Sequence, residues 1–313
     1  MPGPPTAVRR GRLLRIGASA VALLAVTGYV AVQYATGGRT APRCTVTPAH
    51  GGGVSYVFTA EQAVNAATIS AVGTSHGMPE RAVTIALATA LQESGLRNIR
   101  YGDRDSLGLF QQRPSEGWGT EGQIMDPVHA AERFYARLEK VPGYSRLPLT
   151  VAAQRVQRSG YPQAYAKHEP DATLLAASLT GRAAASLTCE GRPSGVEAAR
   201  AGGPAGVRTA LVRDFGRDVA PLPDGRRAVR VPVPAAVDVA EGGERQRGWE
   251  LAQWAVANSS ALHIERVSYA GREWTAGETG QEWRKAPKVL KAAATPKKAT
   301  AIEVDEVRIA TGQ

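Results

Sequence analysis

The stretch ALATALQESGLRN, Ala86–Asn98, and the run YGDRDSLGLFQQRPSEGWGT at Tyr101–Thr120 decide how this chain is read. From Glu80 to Ser94 apolar residues fall on nearly every side: Ala82, Val83, Ile85, Ala86, Leu87, Ala88, Ala90 and Leu91. A helix that is apolar all round is a buried one. Pro79 suits its first turn, and Gly95 is a natural stop. The predicted helix therefore ends in a carboxylate, Glu93. Burying a charge is costly, so such an acid finds a partner or keeps its proton. The negative end of the helix dipole acts in the same direction. Glu93 is thus predicted to be a carboxylic acid that still holds its proton near neutral pH, as protonation of a glycosidic oxygen requires.

Working outward, Thr59 with Gln62 three residues on is a capping-box pattern. Ala63, Ala66, Ala67 and Val72 continue at helical spacing, and the helix should stop by Gly77. After Ser94 the helical period is lost over residues 97–125, where Gly102, Gly108, Gly117, Gly119 and Gly122 mark turns and a short hairpin is expected. Helices are expected again near Pro127–Leu138, Thr150–Gln157, Pro162–His168 and Ala172–Leu187. A segment rich in Gly, Ala and Pro, residues 191–206, reads as an interdomain linker. Beyond it a small α/β module is expected. Its strands are Ala228–Val233, Ile264–Tyr269 and Ala301–Ile309, its amphipathic helix is Gln246–Leu262, and a basic loop runs from Lys285 to Lys298.

The Gln92-Glu93-Ser94-Gly95 tetrad resembles the first motif of the soluble lytic transglycosylase and goose-type lysozyme superfamily. Gly108-Leu109-Phe110-Gln111, preceded by Ser106, is similar to that family's second motif, at a similar spacing. The resemblance covers roughly residues 55–190. It implies a mainly α, lysozyme-like domain in which Glu93 is the catalytic acid/base and Ser94, Gly108 and Gln111 line a glycan cleft. The family's third motif, a Tyr-Asn pair whose tyrosine bonds the catalytic acid, is absent. Within AAQRVQRSGYPQAYAKHE, Tyr161 and Tyr165 are the candidates to replace it, and Tyr165 is preferred. The region from Gln111 to Glu169 also looks like lysozyme-like domains of actinobacterial wall proteins. Asp103 and Asp105 are either a second carboxylate at the cleft, with Asp105 preferred, or turn residues bonding their own backbone. Trp118 either stacks on a sugar or packs. The stretch GWELAQWAVANSSALHIERVSYAGREWTA resembles an unassigned C-terminal module of actinobacterial wall-associated proteins. It holds no catalytic constellation, His263 and Glu273 being its sole candidates, and Trp249 and Trp254 read as core.

The net charge of +10 is unevenly spread. Residues 1–43 carry six Arg and no acid, 44–206 carry fifteen basic and fourteen acidic residues, and 207–313 carry seventeen and fourteen. The excess is concentrated in the tail, which argues against nucleic acid as a partner. In that tail Arg9, Arg10, Arg12 and Arg15 precede an uncharged run, Ile16–Val32. Its length suits a membrane span, with the Arg cluster in the cytoplasm and the rest outside. A cleaved signal peptide, with a weak site between Ala35 and Ala41, is the competing reading. The two cysteines, Cys44 and Cys189, bracket a single segment and suggest a disulfide. Five scattered histidines and the lack of C-x-x-C or H-E-x-x-H predict no metal and no cofactor.

The expected organisation is a tail and transmembrane anchor (1–38), a linker (39–54), the lysozyme-like domain (55–190), a linker (191–206) and the α/β module (207–313). The expected function is cleavage of peptidoglycan glycan strands by a lytic transglycosylase or muramidase at the outer side of the cell membrane. The alternative is a non-catalytic scaffold that holds peptidoglycan in the same cleft.

Overall fold

The computed structural model describes residues 27, 42–49, 52–190, 202–233, 243–277, 282–286 and 305–312. The described residues from Pro42 onward belong to one compact unit. Thr59 caps helix α1, Ala60–Ser75, and its side chain and backbone exchange hydrogen bonds with Gln62. Helix α2, Glu80–Ser94, follows Pro79 and is buried along almost its whole length. It ends at Gly95 in the left-handed region, where the missing Cβ removes the steric penalty. Around α2 lie α1, α4 (Pro127–Leu138), α5 (Leu149–Gln157), a 3-10 segment (Pro162–His168) and α6 (Glu169–Leu179). A single-turn helix, α3 (Glu121–Ile124), precedes α4. The hairpin expected over 97–125 is reduced to one bridge, Leu107 opposite Gln112.

Two antiparallel sheets complete the described residues. The first has strands β1 (Arg43–Val46), β2 (Tyr56–Thr59) and β3 (Leu187–Cys189) in the order β2-β1-β3. Cys44 lies directly opposite Cys189, and the two are joined by a disulfide. Closing a loop of 145 residues stabilises the fold by up to about 5 kcal/mol in the chain-entropy model. The second sheet comprises β4 (Leu222–Asp224), β5 (Ala228–Pro232), β6 (Ile264–Tyr269), β7 (Arg272–Thr275), β8 (Arg284–Lys285) and β9 (Glu306–Thr311). Its order is β4-β5-β9-β6-β7-β8.

Three features correct the expected fold class of transmembrane helix, mainly α lysozyme-like domain and small α/β module. Among the described residues no helix is long and apolar enough to cross a membrane. The longest, α1, has 16 residues, below the ~20 a bilayer needs. The run Ile16–Val32 lies outside the described residues except for Thr27. Second, the C-terminal part is dominated by its six-stranded antiparallel sheet, with neighbours that need no helical crossover. Its shortest strands, β4 and β8, are three and two residues long, too short to carry a readable alternation. Third, the helical part is not all helix: the expected linker 39–54 contains β1, and the helix expected over Ala172–Leu187 stops at Leu179, before β3.

The helices and the large sheet share one core. Helix α7 (Gly203–Phe215) packs on α1, and helix α8 (Gly243–Ala257) packs on α1, α6, β3, β6 and β9. A short helix, α9 (Ser259–Leu262), follows α8. Gly248–Ala257 is buried throughout, so α8, expected to be amphipathic, has no exposed face along that stretch. Its polar residues bond across the junction. Gln253 Nε2 donates to the carbonyls of Ser178 and Ala183, and its Oε1 accepts from Ser178 Oγ, Ser186 N, Ser186 Oγ and Leu187 N. Asp214 on α7 accepts from Thr68 on α1, Trp254 on α8 and Arg213. Trp249 and Trp254 are core residues. Gly181 sits so close to α8 that a Cβ there would meet the Gln246 carbonyl.

Candidate active site

Helix α2 delivers Glu93 to the place where three other segments meet. From the 3-10 segment comes Tyr165, fully buried, whose hydroxyl donates to Glu93 Oε1 at 2.6 Å. From the last turn of α5 comes Gln157, whose side-chain amide favours the ionised form of the Glu93 carboxyl. Gln157 Nε2 donates in addition to the carbonyl of Phe110 at 2.6 Å, tying α5 to the loop that follows α2. Phe110 itself is fully buried and stacked on Phe134 of α4. Beside this group, His168 Nε2 and Gln92 Oε1 are 3.2 Å apart.

The electrostatics of Glu93 are a contest. Burial raises its carboxyl above the ordinary carboxylate range, while the Tyr165 hydroxyl bond and the nearby Gln157 amide pull it back. Burial wins, because desolvation penalises only the charged form. Tyr165 is raised as well, first by burial and then by the neighbouring Glu93, so its hydroxyl stays protonated and remains a donor. Burial, then the nearby Lys167, lowers the His168 imidazole below its usual value. The result is a carboxyl whose neutral form is favoured by burial, with the Tyr165 hydroxyl as a neutral donor ready for the anion left when the proton departs.

The other residues singled out in the sequence serve elsewhere. Ser94 is buried, bonded to the carbonyls of Leu109 and Ala90, and accepts from Arg97 N, so it fastens α2 to the following loop. Gly108 has φ +74°, and a Cβ there would lie 2.8 Å from the Ile124 carbonyl, which explains the glycine by close approach. Gln111 folds back over Gly102, and its Nε2 donates to the carbonyls of Tyr101 and Gly108. Asp105 accepts from Ser115 N, Ser115 Oγ and Arg113 Nε, and these bonds hold its carboxyl far below the usual range. It is an anchored anion. Trp118 is buried with the Arg137 guanidinium over its ring, a packing role. Glu273 faces Arg266 and Ser268 on the large sheet, and His263 terminates α9. Tyr161, the other candidate beside Tyr165, is exposed.

A depression of about 620 Å³ lies beyond Gly108, lined by Arg100, Leu107, Glu121, Gly122, Met125 and Asp126. It does not include Glu93, so the chemistry is placed by the carboxyl and its donors rather than by this cavity. Among the described residues no group of three or more His, Cys, Asp or Glu is arranged to hold a metal. Sequence reasoning missed Gln157 and the Phe110 carbonyl. Gln157 ends a helix far along the chain from Glu93, and a backbone carbonyl has no side-chain signature.

Replacing Tyr165 by Phe removes one donor to the Glu93 carboxylate and leaves the burial. The Glu93 titration midpoint is then expected to move to higher pH, because the lost bond favoured the ionised form. An NMR titration of the Glu93 side-chain carboxyl carbon in Tyr165→Phe measures it. An unchanged or lower midpoint would show that this hydrogen bond does not govern the acid.

One family description matches part of the chain. Residues 223–294 are similar to the family "VldE, C-terminal domain". That segment begins in β4, contains β5, α8, α9, β6, β7 and β8, and lies wholly outside the part that carries Glu93, Gln157 and Tyr165. Among curated proteins no relative matches this chain.

Proposed function

We propose that this protein cleaves peptidoglycan glycan strands outside the cytoplasm, with Glu93 as general acid and then general base. The observation that carries the reading is the Tyr165–Glu93 hydrogen bond at 2.6 Å, at a carboxyl raised by burial. Such a carboxyl is suited to protonating a leaving-group oxygen and to recovering a proton later. The motif pair around Glu93 and Gly108, which resembles that of lytic transglycosylases, points the chemistry to a glycan. The Tyr165–Glu93 bond is of the kind that family's third-motif tyrosine makes, without the asparagine that usually follows. The Cys44–Cys189 disulfide supports an oxidising location.

Transglycosylation is favoured over hydrolysis. Hydrolysis ordinarily uses two carboxylates. Asp105, the second carboxylate picked out in the sequence, is held by Arg113 and Ser115. With one acid, Glu93 protonates the glycosidic oxygen as the bond to C1 breaks. The resulting carboxylate takes the proton of the same sugar's 6-hydroxyl, whose oxygen closes on C1. The test is to digest purified peptidoglycan and weigh the products. Products ending in 1,6-anhydro sugars are expected, with Asp105→Asn largely active. Products heavier by one water, together with a crippled Asp105→Asn, would refute transglycosylation. Retained wall binding without any cleavage would refute the enzyme and favour a scaffold.

A further inference from the structure

All five tryptophans and all four phenylalanines of this chain are buried or nearly so. Among the described residues only two aromatic rings are mainly exposed, Tyr101 at 70% and Tyr161 at 79%. An exposed tyrosine is unremarkable singly. These two, however, occupy the two segments that converge on Glu93. The carbonyl of Tyr101 accepts from Gln111, in the loop whose Leu109 carbonyl accepts from Ser94, the residue beside Glu93. Tyr161 is the residue before the 3-10 segment that delivers Tyr165 to Glu93, and its backbone N–H donates to Ser159 Oγ. At ~2.0 Å rise per residue, Tyr161 stands about 8 Å along that segment from Tyr165. Neither ring is used in the acid's hydrogen bonding or in the core.

We propose that Tyr101 and Tyr161 are sugar-stacking platforms that hold the glycan strand at Glu93, one on each of the two segments that meet there. The inference rests on the reading of Glu93 as a glycan-cleaving acid and names how the strand is gripped. A pyranose ring presents a face of C–H bonds, and a tyrosine ring offers a flat apolar surface at low entropic cost because it has only two side-chain torsions. The polar rim of the sugar stays in water while the C–H face is desolvated, the usual arrangement for an amphipathic ring at a wet site.

The experiment uses the full chain carrying Glu93→Gln, so that the probe survives, and a soluble hexasaccharide prepared from purified peptidoglycan. Calorimetric titration reads the affinity. Adding Tyr101→Ala or Tyr161→Ala is expected to weaken binding about five- to tenfold each, the effect of losing one aromatic contact. Tyr101→Phe and Tyr161→Phe should bind as the parent does, because the ring and not the hydroxyl makes the contact. Both side chains are exposed, so loss of folding is not expected. Undiminished affinity in both Ala variants, or Phe variants as weak as the Ala ones, overturns the platforms and leaves the role of Glu93 standing. No binding by the parent and no cleavage by the unsubstituted protein overturns both.

Discussion

Glu93→Gln is expected to lower cleavage of purified peptidoglycan by ~10²–10⁴-fold, the usual contribution of a general acid. The amide fills the same space and still accepts the Tyr165 hydroxyl bond, so the surrounding fold is retained. What it lacks is a proton to give. Tyr165 cannot substitute, because burial and the neighbouring carboxyl hold its hydroxyl proton too tightly. The His168 imidazole is lowered by burial and hydrogen-bonds Gln92 rather than the reacting carboxyl. The measurement is the initial rate of soluble product release at saturating substrate, with thermal unfolding of the variant as a control. Activity within a fewfold of the parent would end the assignment of Glu93.

Gln253→Leu is expected to be the most damaging single change outside the site. Leucine has nearly the same volume and belongs in a buried helix, so packing alone predicts little effect. The hydrogen bonds decide otherwise. The backbone N–H groups of Ser186 and Leu187 both donate to Gln253 Oε1, and the carbonyls of Ser178 and Ala183 both accept from Nε2. Each buried group left unpaired costs about 1–3 kcal/mol. Two orphaned N–H groups alone therefore cost about 2–6 kcal/mol, against a total of ~5–15 kcal/mol for a typical domain. Urea unfolding followed by tryptophan fluorescence checks it, since Trp254 lies one residue away in the same buried helix. Arg245→Ala, at an exposed position of α8, should change stability by no more than ~0.5 kcal/mol. A loss under about 1 kcal/mol for Gln253→Leu would mean that water replaces the lost bonds and that the junction is looser than its geometry indicates.

Local chemistry made much of the helical part legible. The Thr59–Gln62 capping box and the stop at Gly95 depend on residues within four positions of each other, so the sequence alone locates both helix ends. The all-round apolar character of Glu80–Ser94 identified a buried helix ending in an acid, because polarity is written directly in residue type. The cysteine pairing was legible for a simpler reason: with two cysteines there is one possible pair.

What the tertiary structure alone decided was where each polar side chain spends its hydrogen bonds. Ser94, Asp105 and Gln111 carry residue types suited to a glycan cleft, yet each is taken up by a backbone or an arginine nearby. Gln157, which carries no motif, reaches Glu93 because α5 and α2 pack side by side. The burial of the polar residues of α8 was equally hidden. Glu250 and Gln253 make its sequence look amphipathic, but their partners on α1 and around β3 come from more than 60 residues away, and only the fold supplies them. The short strands were lost for the same reason. Segments of two to four residues such as β1, β4 and β8 have too few positions to show a period, and neighbouring strands rather than their own sequence hold them in place. Sequence determined the elements whose stabilising groups are close along the chain; the site and the sheets depend on groups brought together only by folding.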